Sequence, residues 1–108
     1  MKRVIIESPY AGDVARNIAY ARAAMRDCIH RNEAPFASHL LYTQDGVLDD
    51  DTPIERALGI EAGLLWGACA DMTVVYADFG VTAGMELGIA RARAAGRPVE
   101  FRWLPGWP

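Results

Sequence analysis

Two carboxylates bracket a glycine-punctuated segment, Asp78-Phe79-Gly80-Val81-Thr82-Ala83-Gly84-Met85-Glu86-Leu87-Gly88. Two carboxyl groups brought to one sugar ring can divide glycosidic chemistry, one attacking or stabilising the cationic centre while the other handles protons. Each residue also has a purely structural role open to it. Glu86 at a helix start complements the macrodipole, and Asp78 at a strand end suits an Asx turn or a cap. Gly80, Gly84 and Gly88 recur at four-residue spacing, and each costs a helix roughly 0.5–1 kcal/mol relative to alanine when internal. That spacing points to close backbone approach, either to a ligand or to a neighbouring helix.

A second group lies near the N-terminus, in Ser8-Pro9-Tyr10-Ala11-Gly12. A tyrosine in the first turn after a strand can stack on a base, orient a carboxylate or cap the core. Of the two histidines, His39 falls at the end of an apolar segment, whereas His30 sits on a polar helix flank. Asp49-Asp50-Asp51 is an acidic run of the kind that usually faces solvent, with Mg²⁺ as its alternative ligand. No GxGxxG and no GxxxxGK[ST] occurs, so neither a dinucleotide fingerprint nor a P-loop is present. No cofactor or metal is expected.

The elements that must position these residues follow from patterning. Arg3–Glu7 is a short β-branched run ending in a Pro/Gly turn, which predicts a buried strand. Asp13 predicts an N-cap for a helix over Val14–Arg31, with Val14, Ile18, Ala21, Met25 and Ile29 as its core face. Asn32-Glu33-Ala34-Pro35 reads as a breaker, and Phe36–Tyr42 as a short strand running into a long polar loop over Thr43–Pro53. Thr52 and Pro53 predict a helix start for Ile54–Ala70, with Leu58, Leu65 and Trp66 among its core positions. Met72–Ala77 is an uncharged central strand. A third helix over Thr82–Ala95 is closed by Gly96, and Val99–Leu104 is the last strand.

The order β-α-β-α-β-α-β predicts an α/β fold, a small flavodoxin/Rossmann-like three-layer sandwich with a four-stranded parallel sheet ordered 2-1-3-4. Ligands of such sheets sit outside the carboxyl strand ends, near the switch in strand order. That edge gathers Ser8, Pro9, Tyr10 and Gly12 after the first strand, and Ser38 and His39 after the second. Asp78, Gly80, Thr82, Gly84, Met85 and Glu86 follow the third, and Arg102 and Trp103 the fourth. The helix starts at Asp13 and Thr82, with the Ser8 and Thr82 hydroxyls, are suited to a 5′-phosphate.

The 108 residues fit one domain, 1–108, too small for a second and small enough that oligomerisation is a natural supplement. The hydrophobic fraction is 52% and the net charge −3. That balance argues against disorder and against a basic field for binding a nucleic-acid polymer. Cys28 and Cys69 have no paired spacing and read as small core residues in a reducing compartment. Glu7 interrupts Val4-Ile5-Ile6, so no signal peptide is expected, and no stretch approaches the ~20 apolar residues of a membrane span. A cytoplasmic protein without membrane attachment is the expectation. Trp103 and Trp107 suit a base pocket or a subunit interface.

The turn Ser8-Pro9-Tyr10-Ala11-Gly12, the Ala70-Asp71 junction and the segment Gly80-(x)₃-Gly84-Met85-Glu86-Leu87-Gly88-Ile89-Ala90 together resemble the nucleoside 2-deoxyribosyltransferase superfamily and its small, often phage-encoded relatives. The similarity covers almost the whole chain and is strongest around Glu86. It implies N-glycosidic bond cleavage or base exchange on a (deoxy)nucleoside or nucleotide. Glu86 would be the nucleophile at the anomeric carbon, Tyr10 would orient it, and Asp78 would lie near the sugar or base. The alternatives are a non-catalytic nucleotide-binding or sensing module of the same fold, and an interaction domain that binds no nucleotide. A small-molecule nucleoside or nucleotide and a homo-oligomer are the partners implied.

Overall fold

The computed structural model describes residues 1–108. Its elements are β1 (Lys2–Glu7), α1 (Val14–His30), β2 (Glu33–Phe36), α2 (Ser38–Leu41), α3 (Pro53–Gly67), β3 (Met72–Tyr76), α4 (Ala83–Ala94) and β4 (Val99–Arg102). The four strands form one parallel sheet in the order β2-β1-β3-β4. The expected strand order is therefore the observed one.

Strand alternation decides what each face holds. From β1, Val4 and Ile6 enter the larger core with Val74 and Tyr76 of β3 and with Tyr20, Ala24 and Cys28 of α1. On the other face Val75 packs with Met85 and Ile89 of α4. Ile5 and Glu7, one residue out of phase with Val4 and Ile6, face this second layer. Helix starts follow side-chain capping: Asp13 accepts from the Arg16 amide at 3.2 Å and Thr82 from the Met85 amide at 3.2 Å.

Several expectations are corrected. Phe36–Tyr42 is not a strand: the second strand is Glu33–Phe36, and Ser38–Leu41 turns into α2. The supposed breaker is strand because Asn32, at φ 60°, turns the chain out of α1. Pro35 is tolerated there because β2 is an edge strand. The buried face of α1 is Asn17, Tyr20, Ala21, Ala24 and Cys28, while Val14 and Ile29 are exposed. Polar groups with partners set this rotation. The Asn17 amide donates to the carbonyls of Tyr10 and Ala11, at 2.8 and 3.1 Å, and a satisfied polar side chain is as admissible inside as an apolar one.

Helix α3 departs furthest. Only Gly63 and Gly67 are buried in it, and Leu58, Leu65 and Trp66 are all exposed. Thr52 does not cap it; its hydroxyl bonds the Asp49 carbonyl instead. A side chain at Gly63 would overlap Ser38, so this glycine lets α2 close against α3. Cys69 is exposed beyond the helix, whereas Cys28 is buried, and both are free thiols. Arg102 does not reach the ligand edge: it is buried in a bidentate pair with Glu33, both contacts 2.7 Å. Trp107 folds back onto Tyr20 at 5.2 Å within its own chain, whereas Trp103 stays exposed. No helix is long and apolar enough to cross a membrane.

Candidate active site

A cavity of about 310 Å³ opens between α3 and α4, above the carboxyl end of β1. This is where strand order switches: the chain leaves β1 for β2 on one side and enters β3 on the other. Ile5 and Glu7 supply the floor, Ser8, Tyr10 and Ala11 come from the turn beyond, and Ser38 and His39 from α2. The α4 wall is Thr82, Ala83, Gly84, Leu87 and Gly88, and the α3 wall includes Gly59, Ile60, Gly63 and Leu64. Glycines recur on both walls, so backbone approaches the cavity closely from two sides.

The polar groups of the cavity are arranged in pairs. The Ser8 hydroxyl and His39 Nε2 are 2.6 Å apart, with Ser8 only 5% exposed. Burial lowers the His39 pKa to about 4. The imidazole is therefore neutral across the physiological range. Thr43 donates to the His39 carbonyl at 2.6 Å and secures the end of α2.

Glu7 is the carboxyl on the cavity floor, and Asp50 and Glu55 line the cavity from the acidic loop and the start of α3. Burial pushes its pKa up to about 8, and the Arg97 guanidinium, which pulls it down, only partly offsets that. Arg97 also lines the cavity, with its Nε donating to Thr73 Oγ1 at 3.2 Å. A side chain at Gly88 would overlap the Glu7 carboxyl, so the carboxyl lies directly on the α4 backbone.

The expected site residues divide accordingly. Ser8, Tyr10, His39, Thr82 and Gly84 all line the cavity. Gly12 lies in an adjoining groove, with Tyr10 and the acidic loop from Asp45 to Asp51. No group of three or more His, Cys, Asp or Glu side chains is placed to hold a metal ion. Pro9 is buried behind the turn. Gly80 makes an exposed turn at φ 84°, and Met85 belongs to the core beneath α4.

The two carboxylates of the motif are not brought together. Asp78 Oδ2 accepts from the Tyr20 hydroxyl at 2.6 Å and the Leu104 amide at 2.9 Å, on the α1 side of the sheet. Glu86 is exposed, and its neighbours Gly84, Leu87 and Gly88 face the cavity while it does not. At ~100° per residue, Glu86 lies on roughly the opposite side of the helix from those three. Glu7 was the residue that sequence reasoning missed. Its signal was the period-two phase shared with Ile5, which puts a charge on the inner face of a central strand.

The sequence belongs to the family described as a domain of unknown function (DUF7768), whose model matches residues 2–102. No curated protein matches it. Two solved structures are similar. One is the 2-deoxyribosyltransferase of the psychrotolerant bacterium Bacillus psychrosaccharolyticus, at 16% identity and a TM-score of 0.65, covering 98% of this chain and 75% of that one. The other is the Clostridium botulinum CMP N-glycosidase, at 12% identity and a TM-score of 0.54, covering 97% of this chain and 71% of that one. The chain thus has a nucleoside deoxyribosyltransferase-like fold.

Proposed function

We propose that the cavity binds a nucleoside or nucleotide and cleaves or exchanges its N-glycosidic bond. The observation that carries this reading is a carboxyl, a hydroxyl–imidazole pair and a tyrosine lining one cavity at the strand-order switch. The two similar structures support it, since one is named a deoxyribosyltransferase and the other a CMP N-glycosidase. Tyr10, at the cavity edge, is suited to stack on a base. Thr82, at the start of α4, is placed for a sugar hydroxyl or a 5′-phosphate.

The motif assigns the nucleophile to Glu86, in the first turn of α4. Its exposure on the side turned from the cavity favours the second reading, a nucleotide-binding module without turnover. The α3 residues Ile54, Leu58 and Leu65 are exposed along one helix, and a homo-oligomer that covers them is part of the proposal.

Incubation of the protein with pooled deoxynucleosides and deoxynucleotides, followed by chromatography for free base, tests the enzyme reading. Release by wild type, lost in Glu86→Gln, supports glycosidic chemistry with that nucleophile. Release retained in Glu86→Gln keeps the chemistry and moves the reacting group elsewhere. No release, with thermal shifts still reporting nucleotide binding, leaves the binding module.

A further inference from the structure

We propose that Glu7 is the proton-donating catalytic residue of the cavity, laid against α4 in the recess left by the missing side chain of Gly88. This rests on the N-glycosidic reading of the same cavity and names the group that works the leaving base.

Three geometric facts carry it. First, strand phase puts Glu7 on the cavity face of β1, at the carboxyl end of a strand next to the order switch. Second, any side chain at position 88 would occupy the space of the Glu7 carboxyl, so the helix wall is cut away at that position. A glycine inside a helix costs roughly 0.5–1 kcal/mol, and what occupies this recess is the carboxyl. Third, neither motif carboxylate is in the cavity: Asp78 is bonded to Tyr20 and Leu104, and Glu86 faces away. A cavity that acts on a glycosidic bond needs a proton for the departing base. Of the carboxyls that line it, Asp50 and Glu55 come from the acidic loop and the start of α3, and Glu7 is the one on the floor against α4. Its pKa, raised to about 8 by burial, keeps it protonated near neutrality, in the form that can donate.

The step balances without a cofactor. As the C1′–N bond breaks, its electron pair passes to the nucleobase, which takes the proton from the Glu7 carboxyl. Water then adds to C1′ and returns one proton to the Glu7 carboxylate; in base exchange the acceptor base supplies that proton instead.

The test follows base release by wild type, Glu7→Gln and Glu7→Asp between pH 6 and pH 9, on the responsive substrate of the pooled screen. The expected result is a wild-type rate that falls as pH rises through about 8. Glu7→Gln should lose at least ~100-fold while still binding nucleotide in a thermal-shift assay, and Glu7→Asp should retain part of the rate. Release by Glu7→Gln within ~3-fold of wild type, or a wild-type profile flat through pH 9, overturns the assignment and leaves the glycosidic reading standing. Wild type silent on every pooled substrate overturns both.

Discussion

The carboxyl of Glu7 fills the space that any side chain at Gly88 would need, although the two residues are 81 positions apart in the sequence. Each residue therefore constrains the other. Gly88 is buried within α4, where alanine would ordinarily gain roughly 0.5–1 kcal/mol in a helix. Here the added methyl must displace the half-buried Glu7 carboxyl, the far end of a flexible side chain. Gly88→Ala is expected to destabilise by up to ~1 kcal/mol, because the displaced Glu7 carboxyl more than offsets the propensity gain. In Glu7→Ala/Gly88→Ala the space is free, and the second substitution should cost little or gain. Urea melts of the four proteins in this cycle measure the coupling. Additive effects within ~0.5 kcal/mol would remove the steric argument.

Glu7 also makes stability depend on pH with a definite sign. Its pKa is raised from 4.5 to about 8 in the folded protein, so between those values the folded state binds more protons than the unfolded chain. Stability then falls as pH rises through that window. The penalty is absent below 4.5 and complete above 8. Glu7→Gln carries no such penalty. Its melting temperature should match wild type near pH 4 and exceed it by several degrees at pH 9, as read by circular dichroism. A constant difference across that range would place the Glu7 pKa near its ordinary value.

Asp78 separates a structural role from a catalytic one. Its Oδ2 is the acceptor for both the Tyr20 hydroxyl and the Leu104 amide, and its own amide donates to the Tyr20 oxygen at 2.9 Å. Tyr20 is fully buried. Asp78→Ala leaves two donors without an acceptor and is expected to cost ~2–4 kcal/mol. Nucleotide affinity at temperatures below the lowered melting point should change little. Affinity lost in proportion to a role at the sugar, with stability unchanged, would return Asp78 to the ligand.

The sheet was legible because its signals are local. β-branched runs bounded by turns and caps, alternating with helical spacing, leave few parallel topologies, and the order 2-1-3-4 is observed. Of the residues that line the cavity, Ser8 and Tyr10 were legible because they follow the end of β1, and Thr82 and Gly84 because they open the helix after β3, whereas His39 arrives there on α2 and not at a strand end. What escaped was set at long range. The face of α1 is rotated by the partners that Asn17 and Tyr20 find outside the helix. The glycine spacing on α4 signalled a close approach without disclosing that the approaching group is a carboxylate on β1. Glu86 fits the motif in composition, yet helix phase turns it from the cavity, and phase was fixed by Met85 and Ile89 packing on Val75.

Helix α3 poses the last question, since its apolar side chains do not serve its own core. Ile54 is 77% exposed and Leu65 76%, with Leu58 between them, while the residues it buries are glycines. Spaced four and seven apart, the three fall on one stripe of the helix. An exposed apolar stripe on a small domain marks an association surface, and the homo-oligomer proposed above would cover it. Leu65→Asp places a charge at one end of that contact, at a site where the isolated chain loses little packing. The expected result is an oligomer for wild type and a monomer for Leu65→Asp in sedimentation velocity, with the helical circular dichroism signal retained. A monomeric wild type at the highest soluble concentration would leave the stripe to a different partner.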